Sequence, residues 1–212
     1  MNSPLTGCTL SGSLSHPAHD FSAVSSSLLY QAKALGIAQE NDSELLGSEN
    51  LAFDFITPKT SAVRCQISRW QDVANTTAVT ENTMQAACGL MSVHGRASGK
   101  VQALGVDYIS TLSAVLALQG GIAGSIAQLR GLGVSNSHVS MSAAGLLAMG
   151  QYIAGATAEE MPERLLPDDI KHPRCPPFVS KDGVIFELET LSPEPWQKFW
   201  AEIGVTSLLA GK

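Results

Sequence analysis

Between Asp107 and Arg130 the sequence runs YISTLSAVLALQGGIAGSIAQL without one charged side chain. A stretch this apolar has to be hidden, either in a bilayer or inside the protein. Gln119, Gly120, Gly121, Gly124 and Ser125 fall in its centre or second half, and Ser110, Thr111 and Ser113 at its start, so it falls short of a clean apolar span. The reading is a buried helix of a soluble protein, with Gly120 and Gly121 marking a kink or a break into two helices.

The rest of the chain supplies an interior for such a helix. Of 212 residues, 44% are hydrophobic and 15% charged, enough apolar material for one core and too little charge for a disordered chain. The formal charge of -6, from 13 Lys and Arg against 19 Asp and Glu, leaves no basic stripe to neutralise phosphates. Nucleic acid and membrane are therefore not expected partners. Cys8, Cys65, Cys88 and Cys175 are widely spaced, with no CxxC pair, and read as reduced thiols of a cytoplasmic protein. Met1 to Asp20 carries neither Lys nor Arg nor an apolar run, so no signal peptide is expected there.

Along the chain, the serine-rich opening to about Ser27 shows no period and reads as a flexible leader or irregular wrap. Leu28 to Leu35 suggests a short helix ended by Gly36, and Glu40 to Asn50 a connection. Ala52–Ile56 and Ala62–Ile67 alternate in apolar character around Thr57, Pro58, Lys59 and Thr60, as two strands about a turn do. Thr80 can cap a helix in which Met84, Ala87, Cys88 and Met91 share a face, and VHGRASGK (93–100) is a glycine-bearing loop. Val139 to Ala156 carries Leu146, Met149, Tyr152 and Ile153 at helical spacing. Asp182-Gly183 suits a primed hairpin turn, and Ser192-Pro193-Glu194 opens a helix bearing Trp196, Phe199, Trp200 and Ile203, a stripe for the core or a subunit interface. The fold class is α/β, α+β-like in its organisation, with a helix-rich centre and a C-terminal β-hairpin and helix. The expected divisions are 1–50 as leader and connection, 51–160 as the main body and 161–212 as hairpin and helix.

Three stretches in order resemble the family III CoA-transferases: TENTMQAACGL (80–90), LGVDYIS (104–110) with its small-residue helix and HVSMSAAGLLAMGQY (138–152), and HPRCPPFVSKDGVIFELETLSPEPWQKFWAEIG (172–204). Asp-Tyr-x-Ser and Met-Gly-Gln-Tyr place the likeness nearest the carnitine-CoA transferase branch. The resemblance implies a reduced form of that fold. It also implies that an aspartate carboxylate attacks an acyl-CoA thioester, and by motif match that aspartate is Asp107. From the residues alone, Asp107 is equally a cap for the helix that starts at Tyr108, at a junction where backbone N–H groups can face an anion. Glu81 resembles an acidic residue beside the nucleophile in the formyl-CoA branch; its plain reading is a first-turn glutamate favoured by the helix dipole. The racemase branch has histidine where Thr80 stands, which disfavours racemisation. His94, Arg96 and Lys100 are candidate contacts for a CoA phosphate or, more simply, solvated loop charges. His172 and Cys175 lack further ligands at metal spacing, so no metal is expected.

Members of the family are longer. No version of their opening nucleotide-binding strand-turn-helix is legible in residues 1–50, and their returning segment with a glycine-rich lid has no counterpart before Lys212. Three readings follow. One is a reduced transferase acting on an acyl thioester, CoA-borne or pantetheine on a carrier protein, with no tightly bound cofactor. The second is a non-catalytic binding or assembly module, and the third a fragment of a larger biosynthetic protein. The resemblance further implies a homodimer, with an additional partner subunit in the first reading.

Overall fold

The computed structural model describes residues 3–12, 14, 19–40, 50–72, 74–75, 77–95, 99–159, 178–186, 198–199 and 201–202. The chain divides into two compact units, 1–96 with 100–163, and 97–99 with 164–212. It is a mixed α/β protein. In the first unit β1 (Thr9–Ser11), β2 (Ala38–Glu40), β3 (Leu51–Thr57), β4 (Thr60–Ser68) and β5 (Asn136–Ser140) form one sheet in the order β2-β1-β3-β4-β5. The β1/β2 and β4/β5 pairs are parallel, the two central pairs antiparallel.

The centre of the sheet is the part that alternation foretold. Leu51, Phe53 and Phe55 on β3, with Val63, Cys65 and Ile67 on β4, are buried. Between them, Asp54 and Arg64 lie in register on the other face and form an ion pair at 3.2 Å. The turn at Pro58-Lys59 is closed by a 2.7 Å bond between the Thr57 and Thr60 hydroxyls.

The apolar run forms α4 (Tyr108–Leu129), one continuous helix packed on β3, β4 and β5 and against α1 (Ser22–Leu35) and α5 (Met141–Ala148). It is long and apolar enough to cross a membrane, with mean hydropathy 1.5, and half of it is buried within the protein. The expected break at Gly120-Gly121 does not occur. These glycines instead let the helix lie close to the sheet. A Cβ on Gly121 would stand 2.8 Å from that of Phe55, and one on Gly124 would stand 2.8 Å from a Val63 methyl.

The opening of the chain departs most from expectation. Instead of a loose leader it contributes β1, a 3-10 turn at His19–Phe21 and the whole of α1, which is longer at its N-terminus than expected and ends at Gly36 as anticipated. Strand, helix and parallel strand make a crossover unit, so a strand-helix start absent from the sequence pattern is present in the fold. A three-residue strand offers no period to detect, and serine content hid a helix whose buried side is Val24, Ser25, Leu28 and Ala32.

Three smaller corrections concern the helices and the hairpin. α2 (Glu81–Ala87) stops where Gly89 takes a left-handed φ of 81°, and α3 (Leu90–His94) follows; Met84 and Gln85 are the buried pair, while Ala87 is exposed. The region 139–156 begins in β5 and splits at Met149 into α5, capped by Ser140, and α6 (Gly150–Thr157). Leu146 and Ile153 are exposed there, whereas Met149 is buried. In the second unit, β6 (Phe178–Val179) and β7 (Ile185–Phe186) pair antiparallel. Their turn is a three-residue loop, with Gly183 N–H donating to Ser180 O and Gly183 alone at positive φ, not the primed two-residue form. Lys198, Phe199, Ala201 and Glu202 are helical; the rest of the tryptophan helix and most of the 40–50 connection lie outside the described residues.

Candidate functional site

Asp107 and Glu81 come together on the wall of one cavity of about 690 Å³. Its far side is the helix that the serine-rich opening builds: Ser22, Ser26, Ser27 and Tyr30 of α1, with His19 and Asp20 just before it. Ser110 and Thr111 of α4 and Thr80 complete the polar lining.

Thr80 caps α2, accepting from Thr83 N while Thr83 Oγ1 accepts from Thr80 N. That fixes the first turn of α2 and with it Glu81. The Glu81 carboxylate does more than favour its own helix dipole. Its Oε1 accepts from Ile109 N at 2.9 Å, and its Oε2 accepts from Ser110 N at 2.9 Å and Ser110 Oγ at 2.6 Å. It thereby caps the first turn of α4 from another helix. One turn on, buried Gln85 donates to Glu81 Oε1 and to Val106 O, and its Oε1 accepts from Leu104 N. Glu81 and Gln85 therefore hold both the loop before Asp107 and the helix after it.

This settles what Asp107 does locally. It occupies the N-cap position of α4, yet its side chain makes no capping hydrogen bond, and it is exposed. The capping that was the other reading of Asp107 is performed by Glu81. The same bonds consume the amides of Ile109 and Ser110, so these backbone donors do not face an anion at Asp107. Both Glu81 oxygens are occupied, which makes Glu81 a positioning residue.

Asp20 is held by Arg69, whose guanidinium also lies 5.1 Å over the Phe21 ring. The bond from Arg69 keeps the Asp20 carboxyl below its usual value, against burial, which pushes it up. The pair ties the start of α1 to the end of β4. Sequence reasoning assigned this wall no chemistry. The signal was there in Ser22, Ser26, Ser27 and Tyr30, one face of a helix at spacings of four, one and three.

The other candidates are elsewhere. His94 is exposed at the end of α3, its Nδ1 3.1 Å from Gln102 O, and neither it nor exposed Lys100 is among the described lining residues. Arg96, like His172 and Cys175, lies outside the described residues. Among the described residues no group of three His, Cys, Asp or Glu is placed to hold a metal ion. Cys8, Cys65 and Cys88 are free thiols; burial pushes Cys65 up to about 12, and burial, with Glu81 nearby, raises Cys88.

The fold thus defines a mixed α/β protein with a polar cavity at the junction of three helices. No family model and no curated protein matches the sequence. The structure is similar to the crystal structure of Rv3272 from M. tuberculosis in its orthorhombic form, with a TM-score of 0.53 and 13% sequence identity over 69% of this chain. The likeness is one of fold, and the chain spans 38% of that protein's length.

Proposed function

We propose that the cavity receives the thioester end of an acyl-CoA or of an acylated pantetheine on a carrier protein, with Asp107 as the acyl-accepting nucleophile. The observation that supports this is the state of Asp107: an exposed carboxylate at a helix start, relieved of capping by Glu81 and facing a cavity of about 690 Å³. That volume is within the range of small-molecule sites. Asp107 Oδ attacks the carbonyl carbon, the C–S bond breaks and the thiolate leaves, giving a mixed anhydride. The thiolate then attacks Cγ of Asp107, forming an aspartyl thioester and expelling the original acid as a free carboxylate. A second carboxylate reverses the two steps and departs as the new thioester. The Thr111 hydroxyl and the serine row of α1 are the donors on hand for the developing oxyanion. Among the described lining residues the carboxylates Asp20, Glu81 and Asp107 stand with His19 and with no Lys or Arg, so the phosphates of CoA belong outside this cavity. Exposed Leu132, Leu146 and Leu147, at 59%, 51% and 60%, fit a dimer that covers them.

Glu81 favours a second reading. A carboxylate saturated by four hydrogen bonds relays no proton, as in a binding or assembly module that has kept the architecture. One experiment separates the two. The full chain is incubated with acetyl-CoA or acetyl-pantetheine and then hydroxylamine, and peptides are mapped by mass spectrometry. A hydroxamate on Asp107, absent in Asp107→Asn, supports the transferase. Thioester binding by calorimetry that survives Asp107→Ala, with no adduct, supports the module and ends the catalytic reading.

A further inference from the structure

Asp107 has a backbone unlike that of two other helix starts. Thr80 and Ser140, which cap α2 and α5, are extended, with φ/ψ of −116°/166° and −113°/148°, and their hydroxyls turn back to accept from Thr83 N and Ala143 N. Asp107 stands at φ −79° and ψ 61°, and Tyr108 N donates across it to Val106 O at 2.9 Å. That is an inverse γ-turn, and it makes no use of the carboxylate. The turn is anchored from α2. Gln85 is fully buried, its Nε2 donates to Val106 O at 3.0 Å, and its Oε1 accepts from Leu104 N at 3.0 Å. A further bond of 2.9 Å from Nε2 to Glu81 Oε1 fixes which end of the amide faces which partner. Val106 O thus holds both the γ-turn amide and Gln85, and Gly105, at φ 71°, reverses the chain between the two Gln85 contacts.

We infer that Gln85 is a positioning residue for Asp107: it pins the γ-turn that keeps the carboxylate off its own helix and leaves it on the cavity wall. The catalytic consequence rests on Asp107 being the acyl-accepting nucleophile. Without Gln85, Val106 O loses its tether, and Asp107 can take up the extended backbone of Thr80 and Ser140, its oxygens contesting the Ile109 and Ser110 amides with Glu81. Attack on a carbonyl carbon tolerates little displacement, and about 1 Å lowers a rate by about a hundredfold.

The full chain and its variants are incubated with acetyl-CoA over a range of concentrations, trapped with hydroxylamine and followed at Asp107 by mass spectrometry. Gln85→Met, close to glutamine in volume and adding no charge beside Glu81, is expected to lower the maximal rate about ten- to a hundredfold, while the half-saturating acetyl-CoA concentration changes by less than about twofold. Ser140→Ala, which removes the cap of α5, lowers the melting temperature and keeps the rate. In hydrogen exchange by NMR, the Leu104 and Tyr108 amides of Gln85→Met lose protection that the β3 and β4 amides keep. Gly105 is exposed and an added Cβ meets nothing, so Gly105→Ala disturbs the turn through its positive φ alone; a similar fall in rate is expected, and this variant decides the matter if Gln85→Met does not fold. A folded Gln85→Met, or in its place Gly105→Ala, that reacts at the unaltered rate overturns the positioning role and leaves Asp107 a nucleophile. Unchanged exchange at Leu104 and Tyr108 in Gln85→Met overturns the tether itself. Absence of any Asp107 adduct in the unaltered chain ends the nucleophile reading and the catalytic role of Gln85 with it.

Discussion

Ser110 gives both its amide and its hydroxyl to one oxygen of Glu81, across a gap of 29 residues in sequence. A helix is thus started by the side chain of another helix, and the residue at its own N-cap is left unoccupied by that task. Removing the carboxylate leaves the amides of Ile109 and Ser110 without their acceptor in a part-buried place. Glu81→Ala is expected to cost about 2–3 kcal/mol, since hydrogen bonds to a charged group are worth more than neutral ones. Glu81→Gln retains one acceptor and should cost about half of that. Denaturant unfolding of the three proteins measures it, and equal midpoints would contradict the capping role.

The ion pair of Asp20 with Arg69 sets a pH dependence. The folded carboxyl titrates below its unfolded value because Arg69 holds the charged form. Its contribution is therefore complete above the ordinary aspartate value, about pH 4, and is lost as pH falls through the lower folded value. Asp20→Asn should unfold more easily at neutral pH and lose less stability than the unaltered protein between about pH 4 and pH 2. Arg69→Ala strands a largely buried carboxylate and is expected to cost on the order of 3 kcal/mol. Thermal melts across this pH range check both; parallel curves for Asp20→Asn and the unaltered chain would refute the assignment.

Close packing of α4 on the sheet makes Gly121 sensitive to a single methyl. Alanine is the better helix former by about 1 kcal/mol, yet its Cβ would stand 2.8 Å from Phe55 Cβ and 3.1 Å from Cys65 Sγ. Overpacking of this kind costs about 1–3 kcal/mol. Gly121→Ala should therefore lower the melting temperature, while Gly133→Ala, in a loop where an added Cβ meets nothing, should not. A stabilised Gly121→Ala would show that the helix rides further from β3 and β4 than described.

What was legible in the sequence is what has a period or a local chemical rule. β3 and β4 were visible because Phe53 and Phe55 alternate with half-buried residues, and Thr80 was visible as a cap because a threonine stands directly before an acidic first-turn residue, Glu81. β1 and β2, each three residues long, were not, because partners supplied by the sheet and not their own pattern make them strands. The same division holds at the site. Asp107 and Glu81 were singled out as residues, but their roles depend on which helix start the Glu81 oxygens reach, a tertiary fact with no local signature. The α1 wall was missed because a run of serines is the same to the eye whether it is solvated coil or one side of a helix.

The crossover at the front of the chain has a consequence for how the polar cavity comes into being. One of its sides is laid down by the first thirty residues and the other by residues around 80 and 110, so neither stretch encloses anything by itself. The pocket is a product of long-range closure, and Asp107 and Glu81 have a wall opposite them only because α1 docks on α4.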